Sequence, residues 1–354
     1  MKKLLFTLFA AGALLTAAYS YNPPAGGEDL TLIASPANLS GANSVTGGAL
    51  FNAGADSILV NPALTAREQR VNLTAGYTFL YSTEKEKNEK QIGGSFQTGI
   101  LIPFKLYIFS GYVNGTFSPL WEMHLGNSMN FKAGLSKEIT DKLSVGLGAG
   151  GGYAWTKWDK DWSLYGDVGA LYTVGNLGPF SDFRIGASAL NLGKMYNNAK
   201  RIGIDEKETN TQFPTLVTLK AGAAGTIIDT DVVKLGLGLD VSTPCFQNVI
   251  AEMNAQLAIK KAFYVSVGEK FNLAEVIQKK YNFIPSVAFL FKFSFDVKNN
   301  QYLEDNGWSQ SEMTVSAGYK NLYKTVHGIS AGVDIDLGMA DDEAPKITVW
   351  DEKE

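Results

Sequence analysis

Gly47-Gly48-Ala49-Leu50-Phe51-Asn52-Ala53-Gly54-Ala55-Asp56-Ser57-Ile58-Leu59-Val60-Asn61-Pro62-Ala63-Leu64 is the stretch whose reading decides the fold. Small residues dominate its first half, so a short helix there can pack close to other backbone. Asp56 and Ser57 suit a local turn. Pro62 pushes Asn61 out of the helical region and ends any helix before it. Nothing in the stretch alternates with period two, whereas the chain from about Arg70 onward does. A compact, apolar, non-strand segment in front of a long strand series predicts a plug inside a barrel.

The strand series starts abruptly. Val71, Leu73, Ala75, Tyr77, Phe79 and Tyr81 place an apolar residue at every odd position, against Asn72, Thr74, Gly76, Thr78 and Ser82, with Leu80 the exception. That is a strand with one oily and one wet face. The signature recurs about fourteen times. Its clearest instance is Val287, Phe289, Phe291, Phe293, Phe295 and Val297 against Ala288, Leu290, Lys292, Ser294 and Asp296. The links alternate as well. They are short at Pro103-Phe104, Thr140-Asp141, Asp229-Thr230 and Lys260-Lys261. They are longer or more charged over 82–90, 118–128, 191–213 and 269–284. Short periplasmic turns and longer outer loops give this alternation, and an even strand count fits bacterial single-chain barrels. The link 298–311 is too long for its periplasmic side.

A soluble sandwich also alternates, but its strands usually run shorter. Repeated strands of this length without a second domain favour the membrane. Trp155 and Trp162 flank one outer loop on the oily side, where an interfacial aromatic girdle belongs. The expected fold is an all-β transmembrane antiparallel barrel of about fourteen strands. The expected divisions are a signal peptide over 1–20, a plug over 21–69, the barrel over 70–338 and a tail over 339–354.

The ends and the composition set the bounds. Lys2 and Lys3 precede an apolar run from Leu4 to Leu15, and Ala18-Tyr19-Ser20 offers small residues for cleavage. That is the form of a signal peptide and is too short to span a bilayer. No later stretch is an unbroken apolar run of about twenty residues, which excludes a multi-helix membrane protein. The net charge of -4 gives no electrostatic case for nucleic acid. Cys245 is the single cysteine, so no disulfide framework or thiolate metal site follows. With only His124 and His327, far apart in sequence, a histidine-based metal site is not expected.

Apparent chemistry dissolves on inspection. Gly146-Leu147-Gly148-Ala149-Gly150-Gly151 contains the spacing of a dinucleotide loop. That loop needs a helix after it, whereas Tyr153, Trp155 and a charged loop follow. Close approach of the plug, or strand curvature, explains the glycines better. Neither histidine accompanies a nucleophile motif, so catalysis is not expected. The wet faces carry Lys132, Arg184, Lys220, Lys234, Asp240, Glu252, Lys292, Asp296 and Asp334. Two readings stay open for them: pairs that hold a plug, or solvated lumen residues.

The small-residue run ending in Ala55-Asp56-Ser57, followed by Asn61-Pro62-Ala63 just before the first strand, resembles the N-terminal hatch of FadL-type outer-membrane proteins. PorV-like and spirochaete FadL-like proteins share that plan. The resemblance implies passive uptake of long-chain fatty acids or other hydrophobic small molecules across the outer membrane of a diderm bacterium. It implies no cofactor, a monomer among outer-membrane lipids, and the barrel-assembly machinery as a partner. Asn61, Pro62 and Ala63 become the expected gate, and Leu50 and Phe51 part of the ligand path. Ligands of that family leave sideways by the third strand, where Gly111, Asn114 and Gly115 here are candidates to weaken pairing. A partner role in protein secretion or surface attachment, and a plugged general porin, are the alternatives. The chain departs from many such barrels by running past Leu337 to Glu354, with Trp350 its nearest aromatic. Either a tail follows the last strand, or the strand count is off by one.

Overall fold

A computed structural model describes residues 30–83, 92–117, 127–155, 160–194, 216–246, 248–277, 283–296, 310–322 and 326–338, with positions 301 and 305. The expected signal peptide, residues 21–29, His124 and the tail over 339–354 lie outside the described residues. No helix among the described residues is long and apolar enough to cross a membrane.

Fourteen strands close on themselves: β1 (Val71–Ser82), β2 (Ile92–Pro103), β3 (Ile108–Phe117), β4 (Asn127–Glu138), β5 (Leu143–Trp155), β6 (Lys160–Leu177), β7 (Phe180–Lys194), β8 (Thr218–Asp229), β9 (Val233–Pro244), β10 (Ile250–Ile259), β11 (Phe263–Asn272), β12 (Ser286–Asp296), β13 (Gln310–Leu322) and β14 (Val326–Leu337). Each strand pairs antiparallel with its chain neighbours, and β1 pairs with β14 from Val71↔Leu337 to Ser82↔Val326. Among the described residues the barrel closes with β14 ending at Leu337, in agreement with a count of fourteen.

The alternation in sequence becomes an inside and an outside. Outward positions carry large apolar side chains that stay exposed, among them Phe131, Leu147, Met253 and Phe291 at 58–63%. Their inward neighbours Lys132, Gly148, Asn254 and Lys292 line the lumen. An apolar exterior over a closed barrel is the membrane solution to unsatisfied backbone, because it leaves no open sheet edge. At the long-loop end Trp162 faces outward with the Lys194 ammonium 3.8 Å from its ring centroid. Trp155 lies 5.7 Å from Tyr153 and 6.2 Å from Phe117 by ring centroids.

The wall is not uniform. Register slips occur between Gly166 and Val168 and between Thr173 and Gly175 in β6, and between Thr226 and Ile228 in β8. Such bulges raise local twist. The β11–β12 ladder is short, running only from Phe263↔Phe291 to Gly268↔Ser286.

Phe291 lies mid-strand facing out, and the Lys292 Nζ lies 2.7 Å from the Glu312 carboxylate inside. Phe291→Arg is therefore expected to destabilise the barrel by up to roughly 2–4 kcal/mol, the midplane value, and by less the nearer the residue lies to the interface. Lys292→Gln loses a part-exposed pair, at about 1 kcal/mol or less. Urea titration of the barrel folded into liposomes measures both, and the opposite ranking would put the facing of β12 out by one residue.

Candidate functional site

The lumen is occupied by residues 30–70. This segment has only short turns and one brief helix, at Leu30–Ala34, Pro36–Leu39, Ala55–Leu59 and Leu64–Arg67. Pro36 starts its helix, where the missing N–H costs nothing. The first half of the deciding stretch is a turn rather than the expected short helix. Gly47 and Gly48 take φ of +83° and +87°, which glycine alone adopts freely. Asp56 and Ser57 do lie in a tight turn, and the Ser35 hydroxyl donates to the Asp56 carboxylate at 2.8 Å.

A buried segment with so little regular structure needs partners for its peptide groups, and the wall supplies them. Val45 N–H donates to the Asp240 carboxylate at 2.8 Å, Leu50 N–H to the Gln256 carboxamide at 2.7 Å, and Ala55 N–H to the Asn72 carboxamide at 2.9 Å. In the other direction the Asn114 carboxamide donates to the Thr31 carbonyl at 2.8 Å and the Ser188 hydroxyl to the Val60 carbonyl at 2.7 Å. These partners come from strands on all sides of the barrel.

Inward-facing glycines let the segment lie directly on the wall. A Cβ on Gly146 would strike the Pro62 carbonyl and the Ala63 nitrogen, and one on Gly169 the Asn61 carboxamide. Gly186, Gly236 and Gly268 stand in the same relation to the carbonyls of Val45, Ala49 and Ser40. Gly146 opens the apparent dinucleotide loop, and its contact is the close approach expected there.

The expected gate residues sit at the centre of this arrangement. The Asn61 carboxamide nitrogen donates to the carbonyls of Val45, at 2.8 Å, and of Ala170 on β6, at 3.1 Å. Its oxygen accepts from Ala63 N–H at 3.0 Å. One side chain thus joins two parts of the segment to the wall. Ala63 packs with Ala53, Val60, Leu64 and Leu171, and Phe51 lies against this cluster. Leu50 is buried. Phe51 stands between two guanidinium groups, Arg184 at 5.0 Å and Arg67 at 5.6 Å from its centroid. Arg184 is fully buried and also donates to the carbonyls of Gly48 at 3.0 Å and Ala49 at 3.3 Å.

Among the wet-face charges, Lys132 and Arg184 are buried with partners. Lys132 meets Asp167 at 2.8 Å, and Asp167 also accepts from Asn191 N–H at 2.6 Å. Ion pairs tie the segment to the mouth at the β1 start. Arg67 meets Glu138 at 3.4 Å, while Arg70 meets Glu68, Glu312 and Asp336 at 3.1, 2.6 and 3.5 Å. Burial pushes the Glu68 carboxyl above its usual range, with the Arg70 charge pulling the other way. Burial also pushes the Cys245 thiol up to about 12, so it stays protonated.

The third strand is intact. β3 pairs with β2 from Ile108↔Pro103 to Phe117↔Gly94 and with β4 from Ile108↔Ser136 to Phe117↔Asn127, with no slip. Gly111 and Gly115 face outward beneath the rings of Phe109 and Phe96. Asn114 faces in and holds the segment. At these three residues the ladder is unbroken, with partners on both edges.

Toward the long-loop end a cavity of about 60 Å³ remains between segment and wall. Leu39, Leu59, Leu190 and Ile250 line it together with Lys220, Lys270, Lys320 and Glu252. Among the described residues no group of three His, Cys, Asp or Glu side chains could hold a metal. His327 Nδ1 lies 2.8 Å from the Tyr319 hydroxyl and 3.4 Å from the Asn321 carboxamide.

No protein-family model matches the chain, and no curated protein matches it. Solved structures do. The chain has the fold of monoaromatic hydrocarbon channels. The CymD monoaromatic hydrocarbon channel superposes with a TM-score of 0.52 at 12% identity, over 89% of this chain and 99% of that one. The deltaS2 mutant of the TodX monoaromatic hydrocarbon channel gives 0.52 at 11% identity, over 88% and 100%. The hatch-like residues thus pointed to the right architecture.

Sequence reasoning missed Asn72, Ser188, Gln256 and the glycine contacts. A polar residue on a wet face carries no mark that its partner is a peptide group of a distant segment. Asn61→Ala removes both its donor bonds and leaves buried carbonyls unpaired, at about 1–3 kcal/mol. Gly146→Val displaces Pro62 outright. Both variants are expected to keep the heat-modifiable gel migration of a closed barrel while amide exchange over 45–63 accelerates. Unchanged exchange would show that these contacts do not hold the segment.

Proposed function

We propose that this protein is an outer-membrane channel for passive uptake of hydrophobic small molecules, long-chain fatty acids among them, with residues 30–70 as its plug. The observation that carries the reading is the mode of attachment. The segment fills the lumen yet is held by side-chain bonds and close packing, not by strand pairing. It can therefore rearrange without opening the barrel, whose stability resides in the ladders. A general porin needs an open aqueous lumen, and here the lumen is filled.

The cavity supports the ligand class. A lining that mixes leucines and isoleucines with lysines suits an amphiphile with a small anionic head, or a neutral apolar compound packed against Leu39 and Leu59. At about 60 Å³ it lies well below the roughly 300–1,000 Å³ of small-molecule sites. Passage consequently requires the segment to shift, and at Asn61 such a shift breaks the bonds to both the Val45 and the Ala170 carbonyls. The membrane-facing exterior supplies the lipid surroundings, and the chain is proposed to act as a monomer inserted by the barrel-assembly machinery.

Replacing Asn61-Pro62-Ala63 by Gly-Ser-Gly tests this reading. Liposomes carrying the variant are expected to swell faster in small sugars than wild type, and their uptake of radiolabelled oleate to change. A folded variant that matches wild type in both assays would make the segment a mere linker. A wild type that takes up neither oleate nor toluene would remove the transport reading itself.

A further inference from the structure

Asp56 and Asp334 bring two carboxyl groups to one point on the boundary between plug and wall. Asp56 belongs to the turn at Ala55–Leu59, and Asp334 is an inward residue of β14, in register with Thr74 of β1 and Thr314 of β13. Both line one cavity of about 30 Å³, with Asn72, Thr74, Gln97 and Asp336 around it. The Oδ1 atoms of Asp56 and Asp334 lie 3.4 and 3.7 Å from the point that a Cβ on Gly54 would occupy. The space they share has room for a water molecule or so, not for full hydration of two charges.

The groups that bond the pair are neutral. The Ser35 hydroxyl donates to Asp56 at 2.8 Å, joined by the Gln97 carboxamide, and the Thr74 hydroxyl donates to Asp334. The charges nearby are committed elsewhere. Arg70 meets Glu68, Glu312 and Asp336, and Lys292 also meets Glu312. Arg67 meets Glu138, and Lys132 of β4 meets Asp167. β1, β2 and β3 also pack on the turn, and their buried polar residues Asn72, Thr74, Gln97, Ser110 and Tyr112 carry no charge. Asp336 adds a third carboxyl, which the Asn72 carboxamide bonds at 2.7 Å. Among the described residues no lysine or arginine pairs with Asp56 or Asp334.

Two carboxylates this close, without a counter-ion, disfavour each other's charge, and a carboxyl pair in one site keeps a proton. We propose that Asp56 and Asp334 form a proton-dependent lock, a carboxylic acid–carboxylate pair that fastens the plug to β14 and releases it as pH rises. With one proton between them, the acid attracts the carboxylate across the boundary. With none, two negative charges repel there. The attached plug thus holds a proton that the detached plug, with both carboxyls in water, gives up to solvent. Attachment is complete where the detached carboxyls are still protonated, and is lost as pH rises through the range in which the attached pair ionises. As a control of passage the lock rests on the plug reading of the preceding section, whereas the shared proton does not.

Hydrogen exchange of peptides covering Ala53–Leu59, corrected for the intrinsic rate, measures attachment in the barrel folded into liposomes. From about pH 6 to about pH 9 wild-type protection is expected to fall by roughly tenfold or more, since each unit of pKa difference is worth a factor of ten. Asp56→Asn and Asp334→Asn have no shared proton to lose, and their protection is expected to stay level. Asp240→Asn, on β9, is expected to keep the wild-type fall. Infrared difference spectra of wild type at neutral pH are expected to show the carbonyl stretch of a protonated carboxyl, lost at alkaline pH and absent from Asp334→Asn. Level protection in wild type, a fall that survives in both Asn variants at the pair, or no protonated-carboxyl band at neutral pH overturns the lock. Where an Asn variant lacks heat-modifiable migration, the wild-type band and protection profile decide. Swelling of the same liposomes in small sugars reads the gate separately. A pH-dependent fall in protection without faster swelling supports the lock and overturns the plug as the gate.

Discussion

The structure depends on how an irregular peptide can be buried inside a closed barrel. Each peptide group of residues 30–70 that leaves water needs a partner, and the segment forms too little helix to supply its own. The wall therefore carries the missing donors and acceptors at chosen inward positions. Asp240, Gln256 and Asn72 accept from Val45, Leu50 and Ala55, while Asn114 and Ser188 donate to Thr31 and Val60. Such bonds need short distances, and a wall of ordinary side chains would hold the segment away. The inward glycines remove that spacing at the points of closest approach. Polar reach and glycine recess are two parts of one device.

This division separates two kinds of stability. The barrel is held by its ladders and by the apolar exterior, neither of which involves the segment. The segment is held by discrete polar bonds, by the cluster around Leu171 and by Phe51 between Arg67 and Arg184. A fully buried arginine is costly unless its charge is matched. Arg184 meets most of that requirement with Asp182 at 2.9 Å, two segment carbonyls and the Phe51 face, while its buried Nε has no hydrogen-bond partner. Moving the segment thus exposes Arg184 and unpairs the wall carboxamides, which sets a barrier to rearrangement without weakening the sheet. A filled lumen and a movable filling are compatible for that reason.

Much of the fold was legible because its rule is local. Period-two alternation assigns each strand and each face from a few neighbours, as Phe289, Phe291 and Phe293 illustrate. Strand count followed, and closure of β1 on β14 agrees with it. The site was legible only where local chemistry constrains it. Asn61-Pro62 fixes a chain direction and offers a carboxamide, so its central place could be anticipated. The glycine pair Gly47-Gly48 was misread as compatible with helix, because left-handed backbone is decided by the chain's need to turn back. Asn72, Gln256 and Ser188 look like any wet-face residues. Their roles arise from registers linking positions tens to hundreds apart, such as Leu50 with Gln256, and no local pattern encodes that.

The same reasoning applies to the glycines of the third strand. Glycine content lowers the intrinsic tendency to form a strand, yet a strand inside a closed sheet is held by both neighbours. Gly111 and Gly115 are covered from outside by Phe109 and Phe96, which restores the packing that a missing side chain forfeits. Continuity of the wall at β3 is decided instead by its neighbours, which extend to the same height: β2 and β4 pair with it along its whole length, so the ladder stays unbroken past both glycines.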